Sequence, residues 1–328
     1  MSGANALEVH NLVVRHDMLT AVRGLSFALP VGGRMGLVGE SGSGKTLTAL
    51  ALMGLLPMGW QADGSVLHDG VDLIRQSDRA LAHRRGRTIS MVFQDPLSSL
   101  DPVRRVGYQV SSVIRRHMKT SRREAERQTI ELFRQMSLPR PEQLVRAYPH
   151  EISGGQRQRI MIAMALACYP QLIIADEPTT ALDVTVQKQV LRLLNGAVEQ
   201  RGCALLMITH DLPIIAAMCD TVAVMYAGRI VEMGPVGQVF RSPRHHYTRG
   251  LLESQPTMDN IALDGSSRLT SIPGMVPPLH SLPTGCAFHP RCAAATEKCV
   301  AEVPTLEGGT RRAACWHPVE SMAEAAAS

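Results

Sequence analysis

The sequence predicts an α/β fold: a mostly parallel sheet with an antiparallel β layer, an inserted helical subdomain and a small cysteine-containing C-terminal extension. Apolar, β-type runs at 172–175, 204–209 and 221–225 alternate with segments of helical pattern, which is typical of a parallel sheet. A glycine-rich loop separates another short apolar run, at 34–39, from an apolar helix at 46–56. The chain has 328 residues, enough for one large domain or two smaller ones.

The antiparallel layer is predicted at the N-terminus. Segments 6–14 and 24–30 alternate between apolar and polar residues, as half-buried strands do, and the turn at 31–33 ends the second segment. We therefore expect these two segments to form an antiparallel β layer.

The helical subdomain is predicted in the middle of the chain, at about 97–165. Between residues 101 and 146 the pattern changes to Arg- and Glu-rich stretches with helical spacing. Ser121 and Glu124 fit a capping box, in which each side chain bonds the backbone N–H of the other residue. A helix is therefore expected to begin just after Ser121.

The composition changes after about Pro235, where Pro, Gly, Ser and Cys become frequent. This change predicts two parts, a main domain over 6–235 and a C-terminal extension over 236–328.

Composition and charge restrict the location and partners of the protein. Residues 1–7 lack the basic and apolar regions of a secretory signal, and the most apolar stretch, 160–175, is shorter than the roughly 20 residues of a membrane helix. We expect a cytoplasmic protein whose membrane role, if it has one, comes through partner subunits. The net charge of +5 comes from scattered Lys and Arg, so we expect no nucleic-acid partner.

The glycine-rich loop matches the phosphate-binding pattern G-x-x-x-x-G-K-[ST], and it lies between a predicted strand and a predicted helix, as that pattern requires. Its backbone N–H groups would surround the phosphates at the start of the helix. Lys45 would hold the β- and γ-phosphates and Thr46 would bind Mg²⁺. The alternative is a chance glycine turn. The predicted nucleotide contacts in this motif are Gly39, Glu40, Ser41, Gly42, Ser43, Gly44, Lys45 and Thr46.

Two carboxylates follow the apolar run at 172–175. Asp176 would orient Mg²⁺ from the tip of its strand. Glu177 is the candidate general base for an attacking water, because the carboxyl edge of the sheet lies beside the γ-phosphate. The alternative is a solvated acidic turn before Pro178. Together with the phosphate-binding loop, these residues predict a P-loop NTPase core that uses ATP and Mg²⁺.

A third motif distinguishes among P-loop NTPases. Ile152-Ser-Gly-Gly-Gln156 resembles the L-S-G-G-Q signature of ABC (ATP-binding cassette) proteins, with Ile in place of the first Leu. The resemblance implies an ATPase whose signature residues, Ser153, Gly154, Gly155 and Gln156, contact the ATP held by a second subunit. Two ATP molecules would then be enclosed by a dimer.

Further family motifs appear in the expected order. Gln94 resembles the Q-loop residue, a catalytic and Mg²⁺-binding position, and His210 resembles the catalytic switch histidine. Asp183 resembles the D-loop residue. His16 aligns with the family's adenine-stacking position, and Thr48 completes the expected nucleotide contacts. Taken singly, a Gln or His is more often an ordinary surface or core residue. The resemblance therefore rests on the order in which these motifs appear along the chain.

The C-terminal extension resembles that of the ATPases of oligopeptide and dipeptide importers, in His245–Leu252, Ile272–Pro278 and Gly285–Cys292. The resemblance implies a subunit at the cytoplasmic face of the cell membrane, with two permease subunits, an extracytoplasmic solute-binding protein and a second ATPase that is a paralogue or an identical copy. Related importers carry nickel, glutathione or opines, so the solute stays open. A soluble ABC ATPase acting on DNA or ribosomes and a P-loop kinase are the rival functions. The DNA-repair ATPases have long coiled coils and the translation factors have tandem cassettes, and this sequence shows neither. A kinase would leave the signature motif and the C-terminal extension unexplained.

Four cysteines in the extension follow the spacing C-x5-C-x6-C-x15-C: Cys286, Cys292, Cys299 and Cys315. Structural zinc sites usually show tighter C-x2–4-C pairs. Four thiolates suit a [4Fe–4S] cluster, and the resemblance to the importer family implies one here. Zinc and free reduced thiols are the alternatives. Cys168, Cys203 and Cys219 lie in apolar runs and are predicted core residues.

Overall fold

The computed structural model of the chain describes residues 4–95, 99–180, 182–255 and 272–319. Its two sheets correspond to the predicted antiparallel layer and the predicted parallel sheet. Eleven strands are described, β1 (Asn5–His16), β2 (Leu19–Pro30), β3 (Arg34–Val38), β4 (Trp60–His68), β5 (Val71–Asp72), β6 (Ile89–Val92), β7 (Leu172–Asp176), β8 (Ala204–Ile208), β9 (Thr221–Tyr226), β10 (Arg229–Pro235) and β11 (Arg312–Ala313).

The first sheet is antiparallel, with the strand order β2-β1-β4-β5. Its register pairs Val9 with Phe27 and Val14 with Val22. The alternating burial along β1 and β2 places their apolar side chains toward the second sheet, which is why the sequence alternates there. The prediction of two paired N-terminal strands is confirmed, although both strands are longer than predicted.

The second sheet has the order β11-β10-β9-β3-β8-β7-β6, and its middle strands run parallel. Strands β7 and β8 are buried along their whole length, because other layers cover both faces of the sheet. Continuous apolar runs are the expected sequence for such strands. The prediction of a mostly parallel sheet is confirmed, and only β10 and β11, at one edge, are antiparallel.

Helices connect these strands. The described α-helices are α1 (Lys45–Met53), α2 (Asp78–Arg84), α3 (Val106–Met118), α4 (Arg122–Gln135), α5 (Pro141–Leu144), α6 (Gly154–Leu166), α7 (Val184–Arg201), α8 (Leu212–Met218), α9 (Val236–Arg241), α10 (His246–Glu253) and α11 (Glu297–Ala301). Helix α1 ends three residues earlier than predicted, because Gly54 takes a left-handed conformation (φ 60°) and caps it.

Four helices, α3 to α6, occupy the region predicted as a helical subdomain. Ser121 caps α4 by accepting a hydrogen bond from the Glu124 N–H. The reciprocal half of the predicted capping box is not formed in the described structure, because the Glu124 carboxylate instead accepts bonds from Arg127 and Gln128.

The C-terminal extension packs on the central sheet. β11 pairs with β10, where Ala313 lies opposite Glu232. The buried Glu232 carboxylate accepts hydrogen bonds from the backbone N–H groups of Arg244 (2.8 Å) and His245 (2.9 Å). Tyr247 and Phe288 of the extension belong to the same buried apolar cluster as the helices α3, α4 and α6. The extension therefore shares the core of the main domain.

In the described ranges, every helix is too short or too polar to cross a membrane.

Candidate active site

The phosphate-binding loop lies between the end of β3 and the start of α1, as predicted. Gly39, Gly42 and Gly44 have positive φ angles of 155°, 79° and 98°, which favour glycine. A Cβ atom on Gly39 would lie 2.1 Å from the Met225 carbonyl oxygen, so only glycine fits there. Gly42 has no such neighbour within 4 Å. The loop is thus shaped by close contact with β9 on one side and is open on the other.

The side chain of Lys45 is buried in this loop. Its ammonium group donates hydrogen bonds to the carbonyl oxygens of Gly39 (2.7 Å) and Glu40 (3.0 Å). Burial lowers its pKa, while the nearby carboxylates of Glu177 and Asp176 oppose the shift. The ammonium is therefore held at the loop by acceptors that bound phosphate oxygens would replace.

Asp176 is buried at the end of β7, and burial raises its pKa to about 6. The Thr46 hydroxyl lies near enough to this carboxyl group to oppose the rise in its pKa. Its Oδ1 atom has no hydrogen-bond partner in the described part of the chain. A buried carboxylate oxygen without a partner, beside a hydroxyl, suits Mg²⁺, which prefers oxygen ligands. The predicted pair Thr46 and Asp176 is thus brought together in a form that fits the metal.

Glu177 is the centre of a hydrogen-bonded group. Its carboxylate accepts bonds from Thr180 Oγ1 (2.8 Å) and Gln94 Nε2 (3.2 Å), and His210 Nδ1 lies 3.1 Å from its Oε1. Burial alone would raise the pKa of Glu177, but the bonds from Thr180 and His210 hold that pKa below its usual value. The predicted residues Gln94, Glu177 and His210 therefore meet at the carboxyl edge of the sheet.

The backbone of Glu177 is also unusual. Its φ angle is 45°, in the left-handed region that non-glycine residues rarely adopt. The Glu177 N–H donates to the Ile208 carbonyl oxygen at 2.8 Å, which ties this conformation to β8. Thr180 was not among the predicted site residues. Its position three residues after the candidate base is the one feature of the sequence that could have indicated this contact.

The signature residues form the start of α6. Ser153 Oγ accepts a bond from the Gln156 N–H, and Gln156 Oε1 accepts one from the Ser153 N–H, so a complete capping box is present. Ser153 and Gly154 are exposed to solvent, whereas Gly155 packs against Val186 of α7. The signature therefore presents an ordered helix start to solvent.

Three further predicted residues have structural partners. Asp183 caps α7 by accepting bonds from the backbone N–H groups of Thr185 and Val186, both at 3.0 Å. The Thr48 hydroxyl donates to the Gly44 carbonyl oxygen inside α1. His16 ends β1 and packs beside Trp60, with ring centres 5.4 Å apart. The roles of these residues toward a nucleotide stay predictions.

Two residues of the extension contact the phosphate-binding loop, and sequence analysis missed both. Arg291 forms an ion pair with the Glu40 carboxylate at 2.7 Å, and the Tyr247 hydroxyl accepts a bond from the Glu40 N–H at 2.8 Å. Glu40 and Arg291 are 251 positions apart, so no local pattern could indicate the contact.

The four predicted cysteines line one small cavity, together with His289 and Trp316. All four are free thiols. Burial, with the other thiols adding to it, raises the pKa of Cys286 and raises that of Cys315 to about 11. In the described residues, no group of three or more His, Cys, Asp or Glu side chains forms a ready site for a metal ion. The four thiols thus line the same cavity, but they are not arranged as the ligands of a single metal ion.

Comparisons with known proteins agree with this geometry. The family described as ABC transporter matches residues 22–180, and the family described as oligopeptide/dipeptide transporter, C-terminal region, matches residues 231–299. The chain is 44% identical to the oligopeptide transport ATP-binding protein OppD of Haemophilus influenzae, covering 96% of this chain and 98% of that protein. It is 46% identical to the probable D,D-dipeptide transport ATP-binding protein DdpD of Escherichia coli, covering 92% of each.

A solved structure of the ATP-binding cassette MJ0796, dimeric and bound to ADP and Pi after hydrolysis, superposes with a TM-score of 0.64. It is 25% identical and covers 70% of this chain and 98% of that one. The chain belongs to the ABC-type ATPase family, among the ATP-binding proteins that carry the oligopeptide/dipeptide transporter C-terminal region.

Proposed function

We propose that the chain energises the import of di- or oligopeptides by hydrolysing ATP as one half of a dimer of ATPase subunits. The observation that carries this proposal is the Glu177 carboxylate, held by Thr180, Gln94 and His210 at the edge of the sheet beside Lys45 and the P-loop.

The roles proposed for the catalytic residues follow from their contacts. Glu177, whose pKa is lowered, is ionised at neutral pH and accepts a proton from the attacking water. Lys45 and the loop N–H groups neutralise phosphate charge, which is the main requirement of phosphoryl transfer. Thr46 and Asp176 would hold Mg²⁺, with Gln94 as a further ligand, and the ion would supply positive charge that stabilises the phosphate.

The dimer is supported by the exposed signature helix and by the dimeric state named for the similar cassette MJ0796. Ser153 and Gly154 would complete the ATP site of the opposite subunit, because helix N-termini bind anions well. Asp183, in the D-loop, would also contact the nucleotide, and His16 would stack on its adenine.

The transport role is supported by the names of the relatives, which are oligopeptide and D,D-dipeptide transport ATP-binding proteins. On this proposal the chain lies at the cytoplasmic face of the membrane. It would work with a second ATPase, two permease subunits and a solute-binding protein. Residues 6–235 would form the nucleotide-binding domain and 236–328 the importer-type extension, of which 256–271 and 320–328 lie outside the described residues.

A [4Fe–4S] cluster is the cofactor proposed for the four cysteines. They line a common cavity, and four thiolates are the usual ligands of such a cluster. Zinc, held by the same four thiolates, and free reduced thiols are the alternatives. We expect anaerobically purified protein to be brown, with about four irons per chain. Cys292→Ser should remove the iron, whereas the control Cys219→Ala should not. A colourless wild-type protein would contradict the cluster and identify the four cysteines as ordinary thiols.

The transport proposal is tested by uptake in cells. We expect cells that lack this chain to lose uptake of labelled di- to pentapeptides, and the wild-type gene, but not Glu177→Gln, to restore it. Uptake of nickel and labelled glutathione in the same cells distinguishes the related importers. Unchanged uptake of all these solutes, with ATPase activity intact, would favour a soluble ATPase instead.

A further inference from the structure

We propose that Arg291, in the C-terminal extension, is a positioning residue that holds the phosphate-binding loop ready for ATP through Glu40. The proposal rests on the proposed ATP-binding function of the loop. It assigns to the extension a part in nucleotide binding.

The contact is a two-point ion pair. Arg291 donates one hydrogen bond to Glu40 Oε2 at 2.7 Å and a second to Oε1 at 3.0 Å, so the planar guanidinium matches both carboxylate oxygens. The Arg291 side chain is only 5% exposed and that of Glu40 is 30% exposed, so the pair is buried on the arginine side. When one partner of a buried pair is removed, the other charge is left uncompensated, so each side chain constrains the other.

Arg291 is itself fixed by its surroundings. Its Nε donates to the Pro273 carbonyl oxygen at 2.8 Å, and its guanidinium lies 5.8 Å from the ring centre of Tyr226 and 5.9 Å from that of Phe288. Phe288 in turn packs on Tyr226 and Tyr247. The guanidinium is therefore a rigid support and not a freely moving surface charge.

Glu40 transmits this support to the loop. Its carbonyl oxygen accepts bonds from Lys45 Nζ at 3.0 Å and from the Ser43 N–H at 3.3 Å. Its N–H is held by the Tyr247 hydroxyl of the extension. A rotation of Glu40 would thus displace the lysine and the turn that meet the phosphates. Ordering these groups before ATP arrives removes an entropic cost from binding.

Arg291 lies between two of the four cysteines. The segment from Cys286 to Cys292 contributes both Phe288 to the aromatic cluster and Arg291 to the ion pair. Correct folding of this cysteine segment is therefore what brings Arg291 to the loop.

The test compares full-length, anaerobically purified variants: Arg291→Gln, Glu40→Gln, the double variant and the control Arg249→Gln, which removes an exposed ion pair with Glu253 in the same extension. The affinity for a fluorescent ATP analogue (mant-ATP) and the steady-state KM and kcat for ATP are measured. We expect each single variant to weaken nucleotide binding and raise KM about tenfold, and we expect kcat of Arg291→Gln to change less than about twofold. The double variant should bind nucleotide no more weakly than the more affected of the two single variants, because both substitutions remove the same interaction.

Several outcomes would overturn the proposal. Nucleotide affinity in Arg291→Gln equal to that of Arg249→Gln would do so, as would additive losses in the double variant. A fall in melting temperature with unchanged affinity per folded molecule would assign the pair a merely structural role. Absence of ATPase activity in the wild type would contradict the catalytic assignment alone, since the mant-ATP measurement decides the role of Arg291 independently.

Discussion

Replacing Glu177 by Gln tests the catalytic site most directly. The amide keeps the side-chain volume and can still accept the bond from Thr180, but it cannot take a proton from water. Loss of a general base costs about 10²- to 10⁴-fold in rate, or about 3–5 kcal/mol. The structural cost is smaller: Thr180 and Gln94 both donate to Oε2, so an amide that keeps its oxygen there turns its N–H₂ toward His210, and at most one hydrogen bond worth about 1 kcal/mol is lost. Catalysis should therefore fall far more than stability.

The assay separates these two effects. Phosphate release gives kcat, mant-ATP gives nucleotide affinity, and light scattering in ATP reports the dimer. We expect kcat to fall at least about 100-fold, binding to persist and a stable ATP-bound dimer to accumulate. Glu199→Gln, at an exposed position of α7, is the control and should behave as the wild type. A kcat for Glu177→Gln within about tenfold of the wild type would refute the assignment of Glu177 as the base.

Three further predictions concern the metal and phosphate sites. Lys45→Ala should abolish mant-ATP binding or turnover, and hydrolysis at the wild-type rate would contradict its phosphate role. Because burial raises the pKa of Asp176 from 3.8 to about 6, protons should compete with Mg²⁺ below that pH; Mg²⁺ titrations should show affinity falling about tenfold per pH unit, and Asp176→Asn should remove this dependence. The same shift means that metal-free stability declines as pH rises through this window, since the folded protein binds the proton more tightly than the unfolded chain. Gly44→Ala should reduce the free energy of unfolding by more than Gly42→Ala, which should cost about 1 kcal/mol, because a Cβ on Gly44 would lie 2.8 Å from a backbone oxygen in β2 while Gly42 has open space. Denaturant unfolding of both variants checks this order.

The sequence indicated where the candidate site residues would meet, because these residues lie next to strand ends. In a parallel sheet, the loops after β3, β6, β7 and β8 emerge at one edge, so motifs that are far apart in sequence become neighbours. That rule brings Lys45, Gln94, Asp176, Glu177 and His210 together without any knowledge of side-chain packing.

Other features depend on packing that no local pattern records. The Arg291–Glu40 pair joins distant segments, and β11 is only two residues long, too short for a periodic signal. The capping box at Ser121 illustrates competition between partners: Glu124 has two closer side chains to bind than the Ser121 N–H. The capping box at Ser153 has both of its hydrogen bonds, because no other side chain in the described part of the chain bonds Gln156.

The pairing of β11 with β10 has a consequence for solubility. Without β11, the outermost of the seven described strands of this sheet, β10 would be an edge strand with unpaired backbone groups facing outward. Met233 pairs with Arg312, Glu232 pairs with Ala313, and the Ala314 N–H donates to the Val231 carbonyl oxygen, so these groups are satisfied within the chain. The returning C-terminal segment thus blocks a template on which strands of other molecules could add, and it protects the sheet from edge-to-edge aggregation.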